Sequence, residues 1–387
     1  MRPQLSPTLA IGAPLAVCGV IVSVLVWRET GAAGFLAGLG LALLPVPLLI
    51  GVFHWVDALA PRPWRSLAFA FGWGACVATL FALVVNGLLL GWLTDDPTTI
   101  RPAQADTLEL TVIAPVVEET AKAAAVLLLF LYRSQAFHSV IGGVVTAGLA
   151  ATGFAFTENI LYLGNAFTRD QSDGVGGVDS ATVVTFFVRI VMAPLAHPMF
   201  TALAGVGFGL AAALAPHRPA AWRVLLPLTG LATAMGLHSA WNASASLSLV
   251  GFASVYLLLM LPVFCLLCWL VAWARQRQLR VVRETLPLYA AAGWVSAAEP
   301  PALGSLRSRS VSRRLAREAH GPAGWRAAAG YQAAATSLAL LRHRAERGRV
   351  APDFAARERD LLHRLWRHRA LAGPPTVAAG RQAEEGE

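Results

Sequence analysis

The segment VIAPVVEETAKAAAVLLLFLY (112–132) is apolar enough to cross a bilayer, yet it carries Glu118, Glu119 and Lys122 at its centre. Lys122 is the only lysine among the 31 Lys and Arg residues of the chain. An ionised side chain at the centre of a membrane helix costs roughly 2.5–3.5 kcal/mol on insertion scales. Such residues therefore usually face the inside of a helix bundle, where they mark a functional site.

The composition also indicates an integral membrane protein. The 387 residues are 56% hydrophobic and only 14% charged, with a mean hydropathy of +0.58. A soluble domain seldom carries so little charge, and a membrane helix needs about 20 apolar residues. We predict an all-α, polytopic membrane helix bundle with about eight transmembrane helices, near 9–27, 32–56, 66–93, 108–132, 139–164, 183–214, 223–245 and 249–273.

The charges of the loops predict the orientation of these helices. Loops on one side contain arginine (Arg62, Arg65, Arg133, Arg218 and Arg223), and Arg2 and the arginine-rich C-terminal region fall on the same side. Loops on the other side are acidic or neutral. Because cytoplasmic loops carry the excess of basic residues, both termini are predicted to be cytoplasmic. The excess of alanine and arginine over lysine is typical of a GC-rich bacterial genome, so we expect a bacterial cell membrane.

Three regions follow from this pattern: N-terminal helices in 1–65, a transmembrane core in 66–273 and a basic cytosolic tail in 274–387. The tail is predicted to contain a Pro/Ser/Arg linker at 299–314. Two helical stretches are predicted after it, at 324–346 and 353–370. A small helical appendage is one interpretation of these stretches. A surface helix attracted to anionic lipid is the other.

Later spans carry further polar residues that do not belong in lipid. Glu158 lies late in the fifth span, and Arg189 and His197 lie in the sixth. Prolines at 194 and 198 are expected to loosen the helix around His197, which frees backbone carbonyls at that depth. A polar cavity is therefore predicted there, although a lone histidine can also be a hydrogen-bonded structural residue.

The depths of these residues allow them to meet. His238 and Asn242 are four apart, hence on one helix face. At 1.5 Å per residue, Glu118 lies about 15 Å below the outer end of its span, and His238 about 22 Å above the inner end of its own. Glu158 is about 9 Å from an outer end and His197 is near mid-depth. One pocket that opens away from the cytoplasm can contain them all.

The spacing of Glu118, Glu119 and Lys122 predicts ion pairs on one helix face. Lysine can hold a carboxylate in place as a compact donor, while the second carboxylate acts as a base. A salt bridge that only locks the helix is the alternative.

Four stretches together resemble the PrsW family of intramembrane proteases, over about 66–245. The motifs are Glu118-Glu119-x-x-Lys122, Phe154 through Glu158-Asn159, His197, and His238-x-x-Trp241-Asn242. The chain is also distantly similar to CAAX prenyl endopeptidases. The lysine at spacing three and the Glu-Asn pair favour PrsW.

The resemblance implies an endopeptidase, and so the 66–273 core is expected to be protease-like. It would cut a membrane-anchored protein, such as an anti-sigma factor, on the extracytoplasmic side. We expect a single-span membrane protein and the lipid bilayer as partners, and no nucleic acid. Glu118 or Glu119 is the expected general base, with Lys122 orienting the pair.

Two mechanisms stay open for the remaining residues. Glu158, His197 and His238 make a plausible zinc set with an open fourth position. In a metal-free version, His238 and Asn242 would stabilise the oxyanion. Two other classes of function also remain. A transporter or channel would use the same acids and histidines as an ion path, and a scaffold would signal through its tail.

Overall fold

The structure, a computed structural model, describes residues 7–95, 101–132, 139–214, 218–350 and 352–384. Every regular element in these ranges is helical, which confirms the predicted all-α polytopic bundle. Arg2 and Arg133, which entered the orientation argument, lie outside the described residues.

Within the described ranges, twelve α-helices precede residue 292: α1 Pro7–Leu43, α2 Val46–Asp57, α3 Trp64–Gly72, α4 Thr79–Thr94, α5 Pro102–Leu108, α6 Ala114–Tyr132, α7 Val140–Asp173, α8 Ala181–Phe186, α9 Ala196–Ala213, α10 Trp222–Ser244, α11 Leu249–Val255 and α12 Leu261–Ala291. Three more follow: α13 Glu299–Leu303, α14 Leu306–Glu346 and α15 Phe354–Glu384. Wider π-helical turns join several of them, at Trp73–Ala78, Glu109–Ile113, Phe187–Met192 and Tyr256–Met260.

Six helical stretches in the described part of the chain are long and apolar enough to cross a membrane. The difference from the expected eight arises in two places. The first stretch, Gly12–Asp57, is 46 residues long and covers nearly all of two predicted spans, 9–27 and 32–56. The backbone at Gly31 (φ 70°, ψ 170°) interrupts its helix between them. Helix α6 is not among the six, because Glu118, Glu119 and Lys122 all fall within its apolar stretch.

The chain divides into two compact units. One comprises Met1–Trp55, Arg62–Ala213 and Pro219–Cys268, and the other comprises Val56–Pro61, Leu214–Arg218 and Trp269–Glu387. Helix α7 is the centre of the first unit, since 94% of its most apolar window is buried. It packs most extensively against α1 and α9. Glycine, alanine and threonine dominate its first half, which allows neighbouring backbones to approach closely.

The closest approach joins α7 to α9. A Cβ atom added at Gly143 would run into the backbone of Gly205, and one added at Gly205 would meet the backbone of Gly143. Both positions therefore require glycine, because the two helices are in backbone contact there. This contact places the first residues of α9, including His197, beside α7.

The second unit has an apolar core of its own. Tyr331, Leu338 and Leu365 have no exposed surface, and they pack with Val282 and Leu286 from α12. The predicted linker at 299–314 is wrong, because α13 and α14 occupy most of it. Apolar residues between the arginines are buried in this core, and the Ser305 hydroxyl caps α14 by accepting a hydrogen bond from the Ser308 N–H.

Polar groups inside this second unit are also paired. The Tyr331 hydroxyl donates to Glu299 Oε1 at 2.6 Å. Arg309 donates through Nε to the Leu303 carbonyl at 2.6 Å and through Nη2 to the Thr336 hydroxyl at 2.5 Å. Burial lowers the pKa of the Arg309 guanidinium to about 9, with neighbouring arginines adding to the effect. The tail is thus a packed helical unit.

Replacing Gly143 with Ala should destabilise the membrane unit. The new methyl group has no room against α9, and overpacking of this kind costs about 1–3 kcal/mol. We expect a lower midpoint of thermal unfolding for Gly143→Ala in detergent. Gly87→Ala is the matched control, since nothing lies within 4 Å of a Cβ at Gly87. Equal midpoints for the two variants would contradict the close packing of α7 on α9.

Candidate active site

Four helices supply the polar residues of the site: α6, α7, α9 and α10. The chain is interrupted before α9, where Ala193 leaves the helical conformation (φ −129°, ψ 43°) ahead of Pro194. The break predicted from the prolines is confirmed. The carbonyl of Met192, which the break frees, accepts a hydrogen bond from the Tyr256 hydroxyl at 3.1 Å. The break allows α9 to begin inside the bundle, with His197 in its first turn.

Lys122 is the central cation of the site and is fully buried. Its Nζ lies 3.1 Å from Glu118 Oε2 and 2.8 Å from Glu119 Oε1. The same ammonium lies 3.1 Å from His197 Nδ1. It also sits 4.0 Å from the centre of the Phe154 ring, in a cation–π contact. Lys122 therefore links α6 with both α7 and α9.

Glu119 is fully buried and uses both carboxylate oxygens. Oε1 contacts Lys122 Nζ and His238 Nδ1, the latter at 3.1 Å. Oε2 accepts a hydrogen bond from the Thr201 hydroxyl at 2.7 Å. A carboxylate restrained in this way positions His238, as outer carboxylates orient histidine ligands in metal sites.

His197 has a carboxylate partner of its own. Its Nε2 lies 2.8 Å from Glu158 Oε2. The Arg189 guanidinium pairs with Glu158 and donates through Nε to Asn159 Oδ1 at 2.7 Å. Arg189 also stacks over the Tyr162 ring, 4.0 Å from its centre. Glu158 and Asn159 on α7 thus hold Arg189, and Glu158 also holds His197.

Aromatic contacts fix the planes of the two imidazoles. The rings of His197 and His238 are perpendicular, with centroids 5.1 Å apart. Phe200 stacks on His238 at 4.9 Å, and Phe154 lies 5.9 Å from His197. Neither imidazole can turn without displacing a neighbouring ring.

The orientation of the histidines gives each of their nitrogens a different polar neighbour. His238 presents Nδ1 to Glu119, and its Nε2 lies 3.9 Å from Glu118 Oε2. His197 presents Nε2 to Glu158 and its Nδ1 to Lys122. One donor atom each from Glu118, His197 and His238 lies within 4.8 Å of the others. Two imidazoles and one carboxylate are a ligand set of catalytic zinc sites, so the donors fit a metal ion.

Six of the seven residues expected from the sequence thus belong to one contact network: Glu118, Glu119, Lys122, Glu158, His197 and His238. The metal-competent group contains Glu118 where the sequence suggested Glu158. Glu158 contacts the group through His197. Asn242 is engaged elsewhere, since its Nδ2 donates to the Leu110 carbonyl at 2.9 Å.

Sequence reasoning missed Thr201 and the partners of Arg189. Thr201 follows His197 by four residues, so the two share a helix face, and that spacing is the signal available in the sequence. The sequence identifies Arg189 as a polar residue of the sixth span and gives no partner for it. No spacing rule connects it to Glu158, because the two lie 31 residues apart on different helices.

Exposure differs across the cluster. The side chains of Glu119 and Lys122 have no exposed surface, and that of His238 is 2% exposed. The exposed fraction is 8% for Glu118 and 13% for Glu158. The site is therefore reached from the side of Glu118 and Glu158, with Glu119 behind them.

The apolar helices and the buried Glu/His donor group together describe a membrane-type helical bundle with a metal-competent site. Residues 62–267, more than half of the chain, match the model of the PrsW family intramembrane metalloprotease. The chain belongs to this family and is a membrane-embedded peptidase, which confirms the resemblance of its motifs. Neither a curated protein nor a solved structure matches the chain.

Replacing Thr201 with Val should destabilise the site without changing its shape. The substitution leaves Glu119 Oε2 buried without its donor, which costs about 1–3 kcal/mol or more for a charged acceptor. We expect a lower unfolding midpoint and weaker peptidase activity for Thr201→Val. Thr201→Ser is the matched control and should retain both, because its hydroxyl can still donate. Identical behaviour of the two variants would show that this hydrogen bond contributes nothing.

Proposed function

We propose that the chain hydrolyses a peptide bond of a membrane-anchored protein on the extracytoplasmic side, with Glu118 as the proton acceptor. The single observation that carries this proposal is the donor group of Glu118, His197 and His238 within 4.8 Å. It combines an accessible carboxylate with two oriented imidazoles. Hydrolysis of a peptide bond needs such a base beside groups that polarise water or the carbonyl.

The contacts of the two neighbouring glutamates distinguish their roles. Glu119 is enclosed, and its two carboxylate oxygens contact Lys122, Thr201 and His238. Glu118 uses Oε2 toward Lys122 and His238, and its side chain is 8% exposed. The Oε1 atom of Glu118 is therefore the oxygen that takes the proton from water. Glu119 is a positioning residue, since it holds His238 and Lys122.

Zinc is the metal we propose for this site, held by His197, His238 and one oxygen of Glu118, which leaves the other oxygen of Glu118 to act as the base. Imidazole and carboxylate ligands suit zinc, and His₂Glu sets leave a position open. When bound, the ion lowers the pKa of water and polarises the scissile carbonyl. The protein supplies the orientation: Glu119 sets the ring of His238, and Glu158 sets the ring of His197. Arg189 in turn holds Glu158.

The proposed substrate is a single-span membrane protein, and a membrane-anchored anti-sigma factor belongs to this class. Family membership supports a peptidase that works on a membrane-anchored chain. The loop charges support cytoplasmic termini in a bacterial plasma membrane, and the depths of Glu118 and His238 support cleavage on the opposite side. A transporter or channel would leave the family match without an explanation.

Glu118→Gln should abolish cleavage of a co-expressed single-span substrate. The amide keeps the shape of the side chain but cannot accept the proton, and general-base catalysis contributes typically 10²–10⁴-fold. Cleavage is measured as the ratio of product to intact substrate at equal enzyme levels. Glu284→Gln, in the second unit, is the control and should cleave normally. Normal cleavage by Glu118→Gln would exclude Glu118 as the base.

Glu119→Gln and His197→Ala should each abolish cleavage as well, with expression intact. Glu119 holds His238 and Lys122, and His197 is a metal donor, so each change disrupts the arrangement of the site. The same substrate ratio measures the effect. Persistent cleavage by both variants would exclude the proposed peptidase site.

Removal of metal should silence the purified protein. Strong chelation followed by verified demetallation is expected to remove peptidase activity, and added zinc should restore it. The measurement is the cleavage rate before chelation, after it, and after zinc. Unchanged turnover after demetallation would instead select a metal-free mechanism, in which a glutamate alone activates the water.

A further inference from the structure

We propose that the ammonium of Lys122 occupies the metal-binding side of Glu118 and His197, and that zinc binds by displacing it from these two residues. This inference rests on the proposed zinc site. It assigns Lys122 a role in metal selection, in addition to orienting the glutamate pair.

The geometry makes lysine and metal mutually exclusive. Lys122 Nζ lies 3.1 Å from Glu118 Oε2 and 3.1 Å from His197 Nδ1. These two residues are also two of the three candidate metal ligands. A neutral imidazole has a single acceptor nitrogen, because the other nitrogen carries the proton. With Nε2–H of His197 directed at Glu158, the lone pair of Nδ1 serves either the ammonium or the metal.

The charges of the site also favour displacement of the Lys122 ammonium by a metal ion. Two carboxylates, Glu118 and Glu119, share one ammonium in a fully buried position. Like charges at short range repel strongly inside a protein, where the effective dielectric is low. A divalent ion on Glu118 therefore weakens the position of Lys122 there. Without the ion, the ammonium keeps the two carboxylates from repelling each other.

Lys122 has two other contacts that the metal does not need. Its Nζ lies 2.8 Å from Glu119 Oε1 and 4.0 Å from the centre of the Phe154 ring. Neither residue belongs to the metal-competent group. A small movement of the Lys122 side chain toward Glu119 and Phe154 thus takes its ammonium away from Glu118 and His197. The lysine stays buried and paired in this position.

This exchange selects the metal. Displacing the ammonium costs every ion the same free energy, so only ions that bind imidazole nitrogen strongly can occupy the site. Zinc is such an ion, whereas magnesium prefers oxygen ligands and sheds its water reluctantly. Lys122 therefore excludes magnesium from a site that contains a buried carboxylate.

The single lysine provides a direct test in the full-length protein. Isotopically labelled lysine places one reporter in the chain, since Lys122 is the only lysine. The ¹³Cε–¹⁵Nζ signal should shift when zinc is added to the demetallated protein, and magnesium should leave it unchanged. The His197→Ala variant should show no shift with zinc. Bound zinc with an unchanged lysine signal in the wild type would overturn the inference.

Metal affinity provides the second measurement. Lys122→Met removes the competing cation, so its zinc dissociation constant should be at least tenfold lower than that of the wild type in competition with a chromophoric chelator. Arg314→Met is the matched control, since Arg314 pairs with Glu318 in the second unit and has no part in the site. Its dissociation constant should change less than threefold.

The outcomes separate this inference from the zinc site itself. Equal affinities for wild type and Lys122→Met, with an unshifted lysine signal, overturn the exchange and leave the zinc site standing. Zinc binding by neither protein overturns both. If Lys122→Met does not fold, the lysine signal of the wild type still decides.

Discussion

The sharing of one buried ammonium by two carboxylates and a histidine is the interaction on which the rest of the membrane unit depends. Charged groups inside a bilayer are stable only when each has partners, because water is absent there. Lys122, Glu119 and His238 obtain these partners from three different helices. Packing of α6 against α9 and α10 is therefore coupled to the polar contacts. The residues that satisfy the charges are also those to which our proposal assigns the chemistry.

The two imidazoles of the site are oriented in the same way, because a carboxylate contacts one nitrogen of each. Glu119 faces His238 Nδ1, and Glu158 faces His197 Nε2. Among the described residues, Glu118 has no imidazole within hydrogen-bond distance, since His238 Nε2 lies 3.9 Å from its Oε2. Glu118, Glu119 and Glu158 thus have different environments, and in our proposal they have different roles. Burial and partners, and not the residue type, distinguish a base from a positioning group.

Much of the fold and the membership of the site could be predicted from the sequence. The EExxK spacing predicted the ion pairs of Lys122, and prolines predicted the helix break before His197. Other features depend on contacts that no local pattern encodes. The contact of Thr201 with Glu119 and the pairing of Arg189 with Glu158 join helices distant in the chain. The helices of the tail were also underestimated, because their arginine-rich composition obscured a buried core.

The sequence by itself determined that this chain is a helical membrane protein and identified six of the polar side chains that lie together inside it. The reason is the high free energy of a charge in lipid, which makes each intramembrane Glu, Lys or His informative without any structure. Only the tertiary structure decided which nitrogen faces which carboxylate, and that Glu118 joins His197 and His238. Those choices depend on the rotation and depth of each helix, and close contacts such as that of Gly143 with Gly205 set both.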